Sequence, residues 1–411
     1  MFEDTLAIEL LLDQAYTGLE SGDSFPHQLL SLRSRQTVRS TGQSIAPKRG
    51  PTTTLLERGW NMALIVVAAS TKSPDFAVVD FTQSPPKSVL VGASSGGNVV
   101  DCYGKLAAVG DWGSGTVTLF DISNPESPLI NGSVNTGLSS ITAISIDGAH
   151  VLAAGPKSRS DAELVLISIG NPKSPQVVST YGHTGVTGTQ SISGVVIRGK
   201  NALSCQTYGC LVMDYANASH PSGVGYPASS SPINLNGQVV GDFDGTNAVI
   251  TAPPSDWNGT QPIDVYLFKI TNGTGSQPPK SMNMGGQLFS SVAIAEIPEG
   301  GRYLATATLS EVGIQAFPDG LPNASTGFFV PELGTPNAAV AIKFLNNPAI
   351  APLLAVANVT NEHGFLITAS FLVLESNGQT STLTRATPNP VATVGLAPTL
   401  NPTLGITGWT D

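Results

Sequence analysis

The amino-acid sequence predicts an all-β chain, a seven-bladed β-propeller with an N-terminal helical or irregular extension. Three observations carry the prediction. A strand-and-turn phrase recurs along the chain, and its copies stand roughly 40 to 57 residues apart, the period of a four-stranded repeat unit. Gly (44) and Pro (30) are abundant while charged residues make up 12%, the composition of a turn-rich β fold. The phrase is clearest at Phe76-Ala-Val-Val-Asp80 running into Thr82-Gln-Ser-Pro-Pro86, at Val117-Thr-Leu-Phe-Asp121 running into Ser123-Asn-Pro-Glu-Ser-Pro128, and at Leu164-Val-Leu-Ile-Ser168 running into Gly170-Asn-Pro-Lys-Ser-Pro175. Each copy joins a short apolar strand, through a polar turn, to a second strand such as Val89-Leu-Val91 or Val177-Val178.

Taken in order, residues 1–54 form an extension and residues 55–411 the propeller. Phe2 to Tyr16 has apolar residues at helical spacing and is expected as a helix packed on the propeller; Arg33 to Arg49 is basic and polar. Glu3 and Asp4 stand where a secretory signal carries positive charge. Beyond the three clear phrases, Leu211-Val-Met-Asp214, Val265-Tyr-Leu-Phe-Lys269, Gly313-Ile-Gln-Ala-Phe317 and Phe371-Leu-Val-Leu-Glu375 occupy equivalent places. Two apolar stretches precede each anchor, as in Lys105-Leu-Ala-Ala-Val109, and Gly104-Lys105, Asp147-Gly148, Gly199-Lys200 and Gly300-Gly301 mark tight turns before several of them. Four strands joined by tight turns make one blade. Val391-Ala-Thr-Val-Gly395 is expected to complete the first blade, closing the ring and removing the open pairing edges.

The Val-Val-Asp phrase ending at Asp80 and the Phe-Asp-Ile-Ser-Asn-Pro phrase at Phe120 to Pro125 resemble the LVIVD-type propeller repeat family. The likeness is good in the first three units and degenerate in the last four. It implies a fold, not an activity, because propellers host many unrelated functions.

A formal net charge of −10 argues against a nucleic-acid partner, whose phosphates need a basic face. No apolar run has the length of a membrane-spanning helix. Cys205 and Cys210 flank Gln-Thr-Tyr-Gly in a hairpin pattern; a cross-strand disulfide and a reduced, buried thiol pair both fit it. With Cys102 the three cysteines match no zinc spacing. Asn-x-Ser/Thr acceptors at Asn131, Asn217, Asn258, Asn272, Asn323 and Asn358, with that feasible disulfide, point to the secretory pathway or the extracellular space; the alternative is the cytoplasm.

The sequence contains no nucleophile elbow, phosphate loop, dinucleotide fingerprint or His-Glu-x-x-His, and no cofactor is expected. Asp242-Phe-Asp-Gly245 reads as a turn between strands, lacking the ligand spacing of a calcium loop. The chemistry is therefore expected on loops, where a rigid scaffold usually carries it. In a propeller the second-to-third-strand loops and the blade connections share one face. That places Trp112, Tyr181, Tyr208, Trp257 and Met284 as apolar walls, with Asp111 beside them as a polar binding group. His183, His363, Asp256 and Glu311 are the candidate proton-transfer groups. An apolar pocket with a few converging polar groups is the usual small-molecule site. Each residue also has a plainer role: Trp112 and Trp257 as blade caps, His183 as a turn hydrogen-bonder, Asp256 and Glu311 as solvated loop charges.

In repeat style, length and glycosylation acceptors the chain resembles fungal propellers of secondary metabolism, a group that includes hetero-Diels–Alderases. The resemblance implies a cofactor-independent cyclase that joins a tropolone quinone methide to a humulene-type terpene, its partner a hydrophobic small molecule. An acid group would assist loss of hydroxide from a tropolone carbinol, and the aromatic wall would hold diene and alkene in one orientation. Two alternatives stand beside it. One is a non-catalytic carbohydrate- or protein-binding propeller. The other is a calcium-dependent lactonase or hydrolase recruiting Asp111, Asp256, Asn258, Glu311 and Asn358.

Overall fold

The structure is a computed structural model. It describes residues 62–410 apart from the stretches 71–74, 93–97, 158–161, 183–191, 208, 227–238, 254–262, 277–279, 284–289, 297–301, 309–311, 318–327, 330–339, 346–352, 361–363, 377–380, 386–390 and 396–401. By internal contact the chain divides into Met1–Pro51 and Thr52–Asp411. The helix expected at Phe2 to Tyr16 lies outside the described residues. Among those described, no helix is long and apolar enough to cross a membrane.

The strands follow one another as antiparallel meanders. The first sheet takes β1 (Met62–Ser70), β2 (Asp75–Asp80) and β3 (Lys87–Gly92). The second is β4 (Asn98–Tyr103), β5 (Leu106–Asp111), β6 (Thr116–Asp121) and β7 (Leu129–Asn135). The third is β8 (Ala143–Asp147), β9 (His150–Pro156), β10 (Ala162–Ser168) and β11 (Gln176–Gly182). The fourth is β12 (Ile192–Arg198), β13 (Asn201–Gln206), β14 (Gly209–Asp214) and β15 (Ser222–Tyr226). The fifth is β16 (Val240–Phe243), β17 (Asn247–Thr251), β18 (Asp264–Thr271), the short β19 (Thr274–Gly275) and β20 (Lys280–Asn283). The sixth is β21 (Ser291–Glu296), β22 (Arg302–Ala307), β23 (Val312–Phe317) and β24 (Phe328–Phe329). The seventh is β25 (Val340–Phe344), β26 (Leu353–Thr360), β27 (Gly364–Ser376), β28 (Ser381–Arg385) and β29 (Val391–Val394). The last strand, β30 (Pro402–Thr410), returns to the first sheet and pairs with β1 from Met62↔Thr410 to Ser70↔Pro402. The described strands thus form seven sheets, and their inner strands β30, β4, β8, β12, β16, β21 and β25 neighbour one another in a closed ring. The fold is an all-β propeller.

Every sequence anchor turns out to be the third strand of its sheet: β2, β6, β10, β14, β18, β23 and β27. The polar part of the phrase is the turn to the fourth strand, and its chemistry repeats. The Oδ1 atoms of Asp80, Asp121 and Asp214, each closing a third strand, accept the backbone N–H two residues on at 2.8, 2.8 and 2.7 Å. Next, the carbonyls of Asn124, Asn171 and Asn217 accept from Ser127, Ser174 and His220. Asp and Asn take these positions because their short side chains bond their own backbone.

Ring closure departs from the sequence expectation. Val391–Val394 does not complete the first sheet; it pairs with β27 inside the seventh. The closing strand, Pro-Thr-Leu-Gly-Ile-Thr-Gly-Trp-Thr, carries a weak apolar signal because two of its positions are Gly. One of them is obligatory. A Cβ on Gly405 would stand 2.7 Å from the backbone N of Cys102 and 3.0 Å from the carbonyl carbon of Asp101, where β30 meets β4.

The core is distributed as one apolar cluster per seam. Along β1, Ile65, Val67 and Ala69 face the second sheet, while Leu64, Val66 and Ala68 face the seventh. Being packed on both faces, β5, β9 and β13 read as near-continuous buried runs. The outer β7 and β11 alternate towards solvent. At the first seam Phe76 and Phe120 meet edge to face with ring centroids 4.8 Å apart. The two residues begin and nearly end the first two anchor phrases. The three cysteines are free and buried. Cys205 stands directly opposite Cys210 across β13 and β14, and burial pushes the Cys205 thiol up to about 12.

Candidate functional site

Two parts of the ring carry chemistry-bearing side chains. The first is the loop between β5 and β6. Asp111 ends β5, and its carboxylate accepts from Gly113 N and Ser114 Oγ, both at 2.7 Å. The Asp111 carbonyl takes the N–H of Ile141 at 3.1 Å, tying the turn to the incoming connection of the third sheet. Trp112, at the tip of this fastened turn, remains 43% exposed. The Asp111 carboxylate is thus committed to shaping the loop, and Trp112 is what the loop presents.

Tyr181, on β11, packs with Leu211, Met213 and Tyr215 at the seam with the fourth sheet. Its hydroxyl would lie 3.2 Å from a Cβ on Gly223, so it fills the seam beside β15. Burial raises the nearby Tyr215 hydroxyl well above its usual range, with Tyr181 adding to the shift. Of the sequence candidates, Asp111 and Trp112 therefore share one turn and Tyr181 belongs to a different seam. His183, Tyr208, Asp256, Trp257, Met284, Glu311 and His363 lie outside the described residues.

The second part lines the axis, and sequence reasoning missed it. Each inner strand is a sheet edge, whose N–H groups on the open side need an acceptor. Side chains of the neighbouring inner strand supply it. Asp101, on β4, accepts from Ile146 N and Ser145 Oγ on β8, both at 3.2 Å, and from Cys102 N at 3.0 Å. Ser145 in turn accepts from Ile197 N on β12 at 3.2 Å. Asp242 on β16 accepts from Ile294 N on β21 at 3.0 Å, and Thr403 on β30 from Val100 N on β4 at 3.0 Å. Asp101, Ser145 and Asp242 are all buried. The signal in the sequence was an acid set inside a buried apolar strand, Asn98-Val-Val-Asp-Cys-Tyr103, which nothing local accounts for.

Two cations stand on inner strands. The ammonium of Lys343, on β25, lies 3.7 Å from Asp101 Oδ2, reaching past β30 of the intervening first sheet. Arg198 ends β12, donating from one terminal nitrogen to the Ile197 carbonyl at 2.8 Å. The Asp242-Phe-Asp-Gly245 stretch, expected as a turn, is split: Asp242 and Phe243 end β16, and only Asp244 and Gly245 belong to the turn into β17, where Asp244 Oδ1 accepts from Thr246 N and Asn247 N, and Oδ2 from Arg302 Nε at 3.0 Å. Among the described residues no three His, Cys, Asp or Glu side chains gather as a metal site. With the Asp111 carboxylate turned to its own loop, the described residues do not build the calcium site of the lactonase alternative, and no step is derived through that ion.

Residues 97–136 match the LVIVD repeat. That span is one sheet, from the residue before β4 to the residue after β7. No curated protein matches the chain. Among solved structures it is similar to the periplasmic gluconolactonase of Pseudomonas aeruginosa, at 15% identity and a TM-score of 0.53 over 84% of this chain and 99% of that one. A provisionally assigned 6-phosphogluconolactonase of Bacteroides fragilis is similar at 13% identity and a TM-score of 0.51, over 83% of this chain and 98% of that one. A hypothetical selenium-binding protein of Sulfolobus tokodaii matches at 9% identity and a TM-score of 0.53, over 83% and 92% of the two chains. At such identities the likeness concerns the fold alone. The chain is an all-β β-propeller that carries an LVIVD repeat in its second sheet.

Proposed function

We propose that the chain binds a small oxygenated ring compound, of the lactone or sugar-acid class, at the face of the second-to-third-strand loops and hydrolyses its ring ester. The observation that carries this reading is Trp112, an exposed indole at the tip of a turn fastened by Asp111 and Ser114. A large aromatic presented to water on a fastened turn is a ready stacking wall, because the backbone that carries it has little freedom left to lose on binding. The gluconolactonase from Pseudomonas aeruginosa supports the substrate class as a propeller of similar architecture. In the reaction a base removes a proton from water, the water oxygen bonds to the lactone carbonyl carbon, and the ring C–O bond breaks. The departing ring oxygen takes up a proton, leaving a hydroxy acid. His183, His363, Asp256 and Glu311 are the residues proposed for these proton transfers.

The test is proton release from glucono-δ-lactone by the purified chain, with and without a calcium chelator. A parallel chromatographic assay supplies a tropolone carbinol and humulene. Lactone turnover above the buffer rate, with KM raised several-fold in Trp112→Ala, supports the reading. Turnover of the carbinol alone moves the chain to cofactor-free cyclisation. Sugar binding without turnover of either makes it a binding propeller.

A further inference from the structure

Two of the three cysteines occupy a place that the proposed reaction does not use. Cys205 on β13 and Cys210 on β14 stand directly opposite each other, one rung in from the hairpin end, where Gln206 pairs with Gly209. Two residues of sequence, Thr207 and Tyr208, join that last rung. The rung that closes a two-residue hairpin exchanges both ladder hydrogen bonds, and rungs alternate along an antiparallel pair. Cys205 and Cys210 are therefore a non-hydrogen-bonded pair, the kind in which Cα atoms approach to about 4.5 Å and side chains come closest. A disulfide needs Cα atoms about 4.4–6.8 Å apart.

Opposed side chains leave a sheet on the same face, and packing shows which. Both cysteines belong to the apolar cluster between the fourth and fifth sheets, with Val239, Ala248 and Ile250. The neighbouring strand makes room for sulfur: a Cβ on Gly241 of β16 would stand 2.8 Å from Cys205 Sγ. Cys102 is packed elsewhere, in the cluster between the first and second sheets. The hairpin end is tied to the approach of β16 by Val239 N, which donates to the Gln206 carbonyl at 3.1 Å.

We propose that Cys205 and Cys210 are a thiol–disulfide exchange site, closing reversibly into a cross-strand bridge that clamps the end of the β13–β14 hairpin, with a small-molecule disulfide as the oxidant. One cysteine loses its proton to solvent, and its thiolate attacks a sulfur of the oxidant. The oxidant's S–S bond breaks and one thiolate departs. The second cysteine, deprotonated in turn, attacks the first at the mixed disulfide; the protein S–S bond forms and the second oxidant thiolate leaves. Two cysteine thiols are oxidised, and one disulfide is reduced to two thiols. Both cysteines are buried, and burial raises both thiols. Exchange therefore proceeds through opening of the hairpin end and is faster at raised pH. The site stands apart from the lactonase reading, and neither outcome for the lactone bears on it.

The experiment incubates the native full chain at pH 8 with oxidised glutathione. A second arm refolds it from urea in mixed reduced and oxidised glutathione. Each sample is then denatured, alkylated and read by mass. The expected result is loss of two of the three free thiols, a peptide link between Cys205 and Cys210 with Cys102 still alkylated, and return of all three with excess dithiothreitol. Amide exchange along β13 and β14 is expected to slow at least about threefold in the bridged chain, because the closed ring resists local opening. Cys205→Ser is expected to form no bridge, and Cys102→Ala to bridge like the native chain. A bridge in either arm supports the proposal. It is overturned if both arms keep all three thiols alkylatable, if the product is a glutathione adduct or a link to Cys102, or if the bridge leaves amide exchange on β13 and β14 unchanged.

Discussion

The carboxylate of Asp101 accepts the backbone N–H of Ile146 at 3.2 Å across the seam between the second and third sheets. One side chain thereby satisfies an edge that β-pairing leaves open, and the same atom holds Ser145 and faces Lys343. Asp101→Ala would strand a buried N–H and a half-buried ammonium together. Its expected cost is about 3–5 kcal/mol, the range for breaking a buried charged pair. Asp101→Asn keeps an acceptor oxygen, so it is expected to cost clearly less. Urea unfolding of the three proteins measures both; equal midpoints for Asp101→Ala and the native chain would refute this account of the seam.

Gly405 sets how closely the closing strand approaches the second sheet. Its absent Cβ would meet backbone atoms of Cys102 and Asp101, which cannot swing aside like a flexible side chain. Gly405→Ala is therefore expected to destabilise by about 1–3 kcal/mol, the usual cost of overpacking. Gly194, on β12, has open space around its missing Cβ. Gly194→Ala is the control, expected within about 1 kcal/mol of the native chain or slightly above it in stability. Thermal unfolding of the pair checks the contrast.

The repeated turn makes a claim about additivity. Asp121 and Asp214 each hold one turn N–H, at 2.8 and 2.7 Å, in different sheets. Each change to Ala is expected to cost about 0.5–1.5 kcal/mol, the net worth of one hydrogen bond. The double variant is expected to show the sum within about 0.5 kcal/mol, because the sites share no partner. A large excess in the double variant would mean that the two turns are coupled around the ring.

Alkaline pH should loosen the fold through its thiols. Burial raises Cys102, Cys205 and Cys210 in the folded chain. A raised folded value means that the native state keeps protons which the unfolded chain releases. That contribution is whole below the unfolded thiol value of about 8.5 and declines as pH rises beyond it. The urea midpoint is expected to fall between pH 8 and pH 11, and to fall less steeply in Cys205→Ala than in the native chain. Identical slopes would remove the thiol explanation.

Much of the architecture was legible in local chemistry. Short apolar runs followed by polar Asn/Ser/Pro turns mark the third strands because strand propensity and Asx turns involve neighbours in sequence. For the same reason the turn at Asp244 and Gly245 was readable, whereas Asp242 and Phe243 before it belong to β16. The closing strand was not, since Gly405 is selected by the approach of β4, which lies some three hundred residues earlier in the chain. Nor was the axial lining: nothing near Asp101 or Lys343 in sequence announces the other, and only the closed ring brings them to 3.7 Å.

The loop candidates fell between these cases. Residue type suggested Asp111, Trp112 and Tyr181, but a side chain's direction depends on what packs beside it. The turn spends Asp111 on its own backbone, leaves Trp112 in water, and the fourth sheet covers Tyr181. By itself the sequence determined the repeat, its strands and its turns, which are set by residues within a few positions of one another. The tertiary structure alone decided which strand closes the ring, which acids become seam acceptors and that Lys343 reaches Asp101, because those depend on edges that exist only once the sheets stand side by side.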